Sequence, residues 1–225
     1  MSQNQILQLE ETADGSHTLY IPEMNEHYHS VNGAIQESLH IYINSGFNYN
    51  TTKNNLSVLE IGFGTGLNAY LTLLKSQNTD TLVEYTTVEL YPLGASLTEK
   101  INYPEILNLD RTLFEKIHQA QWENPQNITP NFLLNKKKLD ITTHYAILNN
   151  KLFDVIYYDA FAPDKQPEVW TQSIFDFLYE NTSSDGVLVT YCAKGVVKRM
   201  LQQAGYKIQK LEGPIGKREI IRAIK

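Results

Sequence analysis

Between Val58 and Leu74 a strand, a glycine-rich turn and a helix follow one another, and this stretch constrains the fold more than any other. Val58-Leu59-Glu60-Ile61 is mostly apolar and β-branched at both ends, which is typical of a buried parallel strand. Three alternating glycines then predict a tight turn, and the residues from Asn68 onward predict a helix. In open α/β sheets this arrangement binds a nucleotide at the helix N-terminus.

The glycine spacing narrows the class of nucleotide. A dinucleotide fingerprint, Gly-x-Gly-x-x-Gly or the same with a final Ala, fails when counted from Gly62 because its last position falls on Leu67. Counted from Gly64, the last position falls on Ala69 and the looser form is met, so NAD is not excluded. A glycine-rich turn without a ligand is the structural alternative.

The full run Glu60-x-Gly62-x-Gly64-x-Gly66 resembles the first motif of class I S-adenosylmethionine (SAM) methyltransferases. SAM has no pyrophosphate, so such a loop holds the amino acid and ribose instead. The next predicted strand, residues 82–90, ends near Glu89, whose carboxylate can accept both ribose hydroxyl protons.

Length and composition favour a single domain that spans residues 1–225. Within it, residues 1–55 cover the site and residues 56–225 form the catalytic core. The chain has 225 residues, 42% of them hydrophobic, enough for one α/β core. It has no apolar run of the ~20 residues that a membrane helix needs, and its polar N-terminus does not resemble a signal peptide. Because Cys192 is the only cysteine, an internal disulfide and a cysteine-rich zinc site are excluded. A cytoplasmic protein is predicted.

The N-terminal 55 residues show no clear alternation of strands and helices. Residues 6–9 and 17–21 predict a short hairpin, and residues 34–43 have helical periodicity. His27 and His29 suggest a metal site, but neither a nearby cysteine nor a histidine pair spaced i, i+4 supports one, so no metal is predicted. We expect this segment to cover the cofactor or to shape the substrate entrance.

Further strand–helix units follow. Residues 92–122 predict helices broken at Pro104, residues 124–130 a loop, and residues 132–142 a strand in which three lysines, 136–138, form a solvated bend. Central strands are predicted at 152–159 and 187–192, separated by a helix after Pro167 and a turn at 184–186. A helix over 194–204 and a hairpin around residues 213–216 close the chain. The pattern is similar to the class I methyltransferase fold: a doubly wound, seven-stranded, mostly parallel sheet with a terminal antiparallel hairpin.

Four motifs together make the resemblance more specific: Glu60 to Asn68, Asp159-Ala-Phe-Ala-Pro with Trp170-Thr, Cys192 to Arg199, and Gly216-Lys-Arg-Glu. This set resembles the methyltransferase domain of the bifunctional tRNA wobble-uridine enzymes that make 5-methylaminomethyl-2-thiouridine. The similarity covers roughly residues 15–225. In that family a flavin-dependent oxidoreductase domain accompanies the methyltransferase, whereas this sequence ends one residue after its last predicted strand. We therefore expect a form without the FAD-binding domain.

The resemblance implies SAM as cofactor and the tRNA anticodon loop as partner, with methylation of the 5-aminomethyl group of the wobble uridine. It assigns cofactor binding to Glu60, Gly62, Gly64, Gly66, Asn68 and Glu89. Many class I methyltransferases also carry an acid after the third strand that contacts adenine. Asp140 is the candidate here, but its position on the strand is not fixed by the sequence.

The chemistry of the acceptor independently points to Asp159. A primary aliphatic amine has a pKa of ~10 and is mostly protonated near neutral pH, so it needs a carboxylate to bind it and take its proton. Asp159 follows a core strand, where open α/β sheets place their sites, and Phe161 could stack on the flipped base. Helix capping by Asp159 is disfavoured, because Pro167 begins the helix eight residues later.

Charge is distributed unevenly along the chain. The net charge is −6, yet residues 194–225 hold nine basic and two acidic side chains. A basic face on an acidic body suits a phosphate backbone, although a solvated lysine-rich surface explains it equally well. For tRNA binding we predict Lys194, Lys198, Arg199, Lys217 and Arg218; alternatively, Lys217 and Arg218 order the hairpin through local ion pairs.

Three other functions remain open. A small-molecule amine methyltransferase or an aminopropyltransferase could use the same fold, but neither explains the basic C-terminal segment. A non-catalytic tRNA-binding module is disfavoured by the glycines, Glu89 and Asp159, which are all present. An oxidoreductase is disfavoured because the dinucleotide pattern is met only in the count that ends at Ala69.

Overall fold

The computed structural model describes residues 6–50, 53–77, 79, 81–149 and 151–225. The polar N-terminus, residues 1–5, on which the argument against a signal peptide rests, lies outside the described residues. No helix in the described ranges is long and apolar enough to cross a membrane.

The N-terminal segment forms a small antiparallel sheet followed by a helix. Its strands are β1 (Gln8–Glu11), β2 (His17–Ile21) and β3 (Glu26–His27), so the predicted hairpin is confirmed with a shifted first strand. Helix α1 (Ala34–Ser38) continues into a π-helical stretch, Leu39–Asn44. Its apolar residues recur at helical spacing and are buried, which explains the helix; they are Ala34, Ile35, Ile41 and Tyr42.

An eight-stranded sheet forms the centre of the molecule. Its strands are β4 (Asn55–Ile61), β5 (Leu82–Glu89), β6 (Gln126–Thr129), β7 (Phe132–Lys138), β8 (Phe153–Tyr158), β9 (Thr182–Thr190), β10 (Lys207–Glu212) and β11 (Glu219–Ile224). They lie in the order β10-β11-β9-β8-β4-β5-β7-β6. The five strands from β9 to β7 are parallel, whereas β11 runs antiparallel to β9. The class I methyltransferase fold is therefore confirmed.

The helices cover both faces of this sheet. They are α2 (Leu67–Ser76), α3 (Ala95–Thr98), α4 (Tyr103–Ile106), α5 (Thr112–Gln119), α6 (Gln172–Glu180) and α7 (Gly195–Ala204). Alternate residues of β4 enter different cores: Leu56 and Val58 pack with α2 and the N-terminal segment, whereas Leu59 and Ile61 pack with α6 and α7. Because β4 lies where the strand order reverses, its carboxyl end opens into the crevice that binds ligands in such sheets.

The sheet has eight strands where seven were expected. The extra strand, β6, lies within residues 124–130, which the sequence predicted as a loop. Ile128 is buried, and β6 pairs antiparallel with β7 across a short turn at Pro130-Asn131. The prolines 125 and 130 flank this edge strand rather than interrupt it, which is where a sheet tolerates them.

Two further local predictions were wrong. Residues 184–186 lie inside β9 instead of forming a separate turn; Asp185 has a φ of 61°, and the pairing of β8 with β9 is irregular there. In the triple lysine, Lys136 is buried in β7 and donates from Nζ to the carbonyls of Ile117 and His118 at 2.9 Å. The last carbonyls of α5 therefore take the place of solvent around this cation.

Candidate active site

The loop from β4 to α2 brings two strand ends into backbone contact. Gly62 and Gly64 have φ values of 94° and 49°, a region that disfavours any other residue. A Cβ on Gly62 would stand 2.6 Å from the carbonyl oxygen of Asp159, and one on Gly64 would stand 3.1 Å from the ring of Tyr28. The glycines thus let the end of β8 and the N-terminal segment approach the loop closely.

Glu89, at the end of β5, faces this loop. Its Oε2 accepts a hydrogen bond from the Gly64 amide at 3.1 Å, and its Oε1 accepts one from the Tyr91 amide at 2.9 Å. Burial raises the pKa of Glu89, and these two backbone hydrogen bonds oppose the rise. The carboxylate is therefore fixed at the edge of the glycine loop, as a ribose-binding group requires.

A cavity of about 480 Å³ lies between the glycine loop, the ends of β5 and β8 and the N-terminal segment. Seven of the predicted site residues line it: Gly62, Gly64, Asn68, Glu89, Asp159, Phe161 and Lys217. Six predicted residues do not: Glu60, Gly66, Lys194, Lys198, Arg199 and Arg218. Asp140, left open by the sequence, lies in the cavity wall after β7, where its Oδ1 accepts hydrogen bonds from the Thr142 amide and hydroxyl.

Asp159 lies at the carboxyl end of β8 with both of its oxygens bound. The Tyr42 hydroxyl donates to Oδ1 at 2.5 Å, and the Asn68 amide donates to Oδ2 at 2.7 Å. Burial raises the pKa of Asp159 to about 7, although these two hydrogen bonds stabilise the ionised form. Near neutral pH this carboxyl is therefore close to half ionised and can exchange a proton in either direction.

Aromatic side chains surround the cavity beside Asp159. The ring of Phe161 meets that of Tyr28 edge to face, with 5.1 Å between centroids. The Tyr191 hydroxyl donates to the Ala160 carbonyl at 2.8 Å, and the Trp170 indole donates to the Phe161 carbonyl at 2.7 Å. These bonds hold the loop after β8, so that a flat, uncharged surface lies next to the carboxylate.

Glu60 and Asn68 make contacts that a simple cofactor motif does not predict. Glu60 is fully buried below the loop and accepts a hydrogen bond from the Thr87 hydroxyl at 2.7 Å. Asn68, in the first turn of α2, lines the cavity but directs its amide nitrogen to Asp159. Gly66 precedes α2, with a φ of 75°. Gly66 shapes the loop, and Asn68 holds the Asp159 carboxylate.

The predicted basic residues fall into two groups. Lys217 forms an ion pair with Glu37 of α1 at 2.6 Å and lies over the Tyr191 ring at the cavity wall, and Lys194 pairs with Asp164. The other three, Lys198, Arg199 and Arg218, form no ion pair with any described residue.

Lys198 and Arg218 lie in the same region of the surface. The hydrogen bond from Lys210 lowers the pKa of Glu219 most, and the charges of Arg218 and Lys198 lower it further. The closing hairpin carries its own cross-strand pair, Lys210 with Glu219 at 2.6 Å. Lys217 instead reaches across to the N-terminal segment, so its ion pair is not local to the hairpin.

The sequence did not predict three side chains that shape the site: Tyr28 and Glu37, which line the cavity, and Tyr42, which binds Asp159. Each belongs to the N-terminal segment, whose pattern carries no motif that marks these positions. The π-helical stretch around Tyr42 is a feature often found at functional sites, but a sequence does not reveal it. Helical periodicity marks Tyr42 as buried and gives no sign that its hydroxyl meets a carboxylate more than a hundred residues away.

The two histidines are held by other contacts. His27 Nε2 lies 3.0 Å from Glu10 Oε2, and His29 Nε2 lies 3.4 Å from the Thr65 hydroxyl. Within the described part of the chain no group of three or more His, Cys, Asp or Glu side chains is arranged to hold a metal ion.

This arrangement fits the cofactor implied by the resemblance. Gly62 and Gly64 line the cavity without side chains, and Glu89 presents a carboxylate beside them. Leu139, Asp140 and Ile141 supply a further wall beyond β5. A nucleoside can thus lie between the ends of β4, β5 and β7, with the reacting end toward Asp159.

Comparison with known proteins identifies the family. Residues 113–225 match the model of a family described as S-adenosyl-L-methionine-dependent methyltransferases. The chain is 26% identical over 214 residues to the bifunctional protein MnmC of tRNA 5-methylaminomethyl-2-thiouridine biosynthesis from Marinomonas sp.. That match covers 88% of this chain and 31% of the relative, so the chain spans about a third of the relative's length.

Two solved structures share the fold of this chain. MnmC2 from Aquifex aeolicus is 26% identical, with a TM-score of 0.80 over 98% of this chain and 70% of that one. Spermidine synthase from Thermotoga maritima, at 15% identity and a TM-score of 0.60, covers 100% of this chain and 74% of that one and shares the fold. The chain therefore belongs to the S-adenosyl-L-methionine-dependent methyltransferase family and is a methyltransferase related to MnmC.

Proposed function

We propose that this protein methylates the amine of 5-aminomethyl-(2-thio)uridine at the wobble position of tRNA, giving 5-methylaminomethyl-(2-thio)uridine. Asp159 carries the proposal: a buried carboxyl with a pKa raised to about 7, at the end of the cavity and beside aromatic rings. The similarity to MnmC over 88% of the chain supports the choice of acceptor.

Asp159 has a role that the acceptor amine requires. The amine arrives as an ammonium ion, which has no lone pair for attack on carbon. Ionised Asp159 binds the ammonium and takes one proton, and Tyr42 and Asn68 keep the carboxylate oriented while it does so. The free amine would then form one C–N bond to the methyl carbon of bound SAM while the methyl–sulfur bond breaks and S-adenosylhomocysteine leaves. The methylated ammonium keeps or loses its second proton according to pH.

The cofactor side is held by the glycine loop and by Glu89. SAM, when bound, supplies a methyl group on a positively charged sulfur. Gly62 and Gly64 would hold its amino acid and ribose against backbone, and Glu89 would accept hydrogen bonds from the ribose hydroxyls. The contribution of these residues is to fix position and alignment, which can lower a barrier by ~7–11 kcal/mol.

The acceptor side combines both parts of the chain. Phe161, with Tyr28 and Tyr191, offers the stacking surface for a base turned out of its loop. Tyr28 and Tyr42 come from residues 1–55, while Phe161 and Tyr191 come from 56–225. We therefore propose that the two segments form one catalytic domain, as expected from the sequence.

The tRNA backbone is proposed to contact the basic surface of α7 and the closing hairpin. Lys198, Arg199 and Arg218, which no described acid pairs, are the main contacts. Lys194 and Lys217 contribute once they exchange their carboxylate partners, Asp164 and Glu37, for phosphates. A tRNA substrate is also consistent with the expected cytoplasmic location.

The direct test uses purified protein, SAM carrying a labelled methyl group, and tRNA that bears the unmethylated 5-aminomethyl group. Digestion and mass spectrometry should show one labelled methyl group on that nucleoside, and the Asp159→Asn protein should yield far less. Putrescine with decarboxylated SAM is the parallel assay for an aminopropyltransferase. Alkylation of putrescine without methylation of tRNA would overturn the proposal in favour of that alternative.

A further inference from the structure

Glu60 is a buried acid that the proposed chemistry does not use. It is fully buried in β4 and outside the cavity wall, and one oxygen, Oε2, accepts from the Thr87 hydroxyl. The Asn68 and Tyr85 side chains lie beside the carboxyl. Three atoms of this cluster nevertheless have no hydrogen-bond partner among the described residues: Glu60 Oε1, Asn68 Oδ1 and Tyr85 Oη.

The surroundings of Glu60 offer no compensating charge. None of the ion pairs of the described residues includes it. The titratable groups that face it are Tyr85 from β5, Tyr157 from β8 and Asp159 beyond β8. None of the three is a cation, and a buried carboxylate without a cation is costly.

The Tyr85 hydroxyl can donate to Glu60 Oε1 in either protonation state, so a proton on Glu60 is needed only to pair Asn68 Oδ1. Ionised carboxylate oxygens and amide oxygens only accept hydrogen bonds, so Glu60 Oε1 and Asn68 Oδ1 cannot bond to each other in that state. A protonated Glu60 has one O–H to donate and gives Asn68 Oδ1 a partner.

We propose that Glu60 is protonated in the folded protein and acts as a positioning residue, donating to Asn68 Oδ1 so that the Asn68 amide nitrogen faces Asp159. A chain of hydrogen bonds then runs from Thr87 through Glu60 and Asn68 to Asp159, which Tyr42 binds from the other side. Of two neighbouring buried carboxyls only Asp159 ionises, and its negative charge is kept at the cavity. The effect on Asp159 as a base rests on the proposed function, whereas the protonation of Glu60 does not.

Stability provides a test that needs no substrate. Burial raises the pKa of Glu60 well above its usual value of 4.5, so the folded state holds a proton that the unfolded state releases above that pH. Stability attributable to Glu60 is therefore fully present below pH 4.5 and falls as pH rises toward the folded pKa. Glutamine resembles protonated glutamate and carries no such pH dependence.

The experiment compares thermal unfolding of the wild type and Glu60→Gln between pH 5 and pH 8, with Glu23→Gln, at an exposed acid, as the matched control. Glu60→Gln should raise the melting temperature by at least about 2 °C at pH 8, with a smaller gain at pH 5. The Glu23→Gln difference should not change with pH. A Glu60→Gln protein that melts below the wild type at pH 8, or a gain that is independent of pH, would show that Glu60 is ionised and overturn the proposal.

The positioning role is tested by a second variant of similar shape. Glu60→Met has no donor for Asn68, so its kcat on tRNA should fall by about tenfold. The rise of its kcat with pH should also move to higher pH, as expected when a donor to Asp159 is lost. Glu60→Gln restores an N–H donor and should recover most of that loss, with SAM affinity in calorimetry within about threefold of the wild type. Equal losses in both variants, or loss of SAM affinity in Glu60→Gln, would contradict the role. If tRNA is not the substrate, the melting comparison still decides whether Glu60 is protonated, and calorimetry still decides whether Glu60→Gln preserves SAM binding.

Discussion

The two ends of the cavity are built differently. The cofactor end uses Gly62, Gly64 and Glu89, which lie within one β–α–β unit and act largely through backbone. The acceptor end joins Asp159 to Tyr42, 117 residues away, and Lys217 to Glu37 of α1. Cofactor binding therefore depends on local chain geometry, whereas acceptor recognition depends on how the N-terminal segment packs on the sheet.

This difference predicts that variants separate the two functions. A change in the glycine loop should remove SAM binding whatever the acceptor, because this loop is the proposed cofactor site. A change at the acceptor end should leave SAM affinity in place and lower turnover.

Asp159→Asn keeps the shape of the acceptor end and removes its charge. At pH 7 kcat should fall by ~10²–10⁴, the usual contribution of a general base. SAM affinity, measured by calorimetry, should change little because the glycine loop and Glu89 are untouched. Full activity of this variant at pH 7 would contradict the assignment of the base.

Gly64→Val tests the cofactor end. A β-branched residue at a φ of 49° is strained, and its Cβ would press on the Tyr28 ring. We expect SAM affinity to fall by at least ~10²-fold, or ~2.7 kcal/mol. Gly94→Val is the matched control, because a Cβ at Gly94 meets nothing within 4 Å and its φ is −75°. Unchanged SAM affinity in Gly64→Val, or an equal loss in both variants, would contradict the account.

Tyr42→Phe removes one of the two donors to Asp159 and keeps the packing against Tyr157. A hydrogen bond to a charged group contributes about 1.5–3 kcal/mol, so the pKa of Asp159 should rise and kcat at pH 7 should fall by about tenfold. Because the raised pKa protonates the base, activity should recover as pH increases. A loss that does not vary with pH would point to a packing defect instead.

Replacing Lys198 and Arg199 together with alanine tests the proposed phosphate contacts. Each lost contact should flatten the slope of log K against log salt by about 0.7–0.9, so the double variant should flatten it by up to about two contacts' worth. SAM affinity and melting temperature should not change. Lys75→Ala, at the far end of α2 from the cavity, should leave the slope as it is. An unchanged slope in the double variant would move the tRNA contact surface to another part of the molecule.

How far the sequence could predict this site follows the same division. The β4 strand, the glycine turn and Glu89 were predictable because an apolar β-branched run, glycine spacing and strand ends are local signals. Asp159 was also found, since it directly follows an apolar strand. Its partner Tyr42 was not, because the contact depends on how a π-helical stretch docks on the sheet.

Charge was the least predictable property. The sequence placed Lys217 on a phosphate-binding surface, whereas the fold pairs it with Glu37 at the cavity. It treated Lys136 as solvated, yet the end of α5 and the rings of Phe63 and Trp122 enclose it. In both cases the partner comes from a distant segment, so composition along the chain does not reveal which groups surround the charge.

The pH dependence of kcat/KM for aminomethyl tRNA, with SAM saturating, tests the role of Asp159 most directly. The wild type should give a bell-shaped profile. Activity rises as Asp159 ionises near pH 7 and falls near pH ~10, where the ammonium of unbound substrate loses the charge that pairs it with Asp159. Asp159→Asn should lose the rise near pH 7. Its activity should instead increase only toward pH ~10, where free amine is available. A wild-type profile with the single rising limb of the variant would show that the proton leaves by another route and contradict the account.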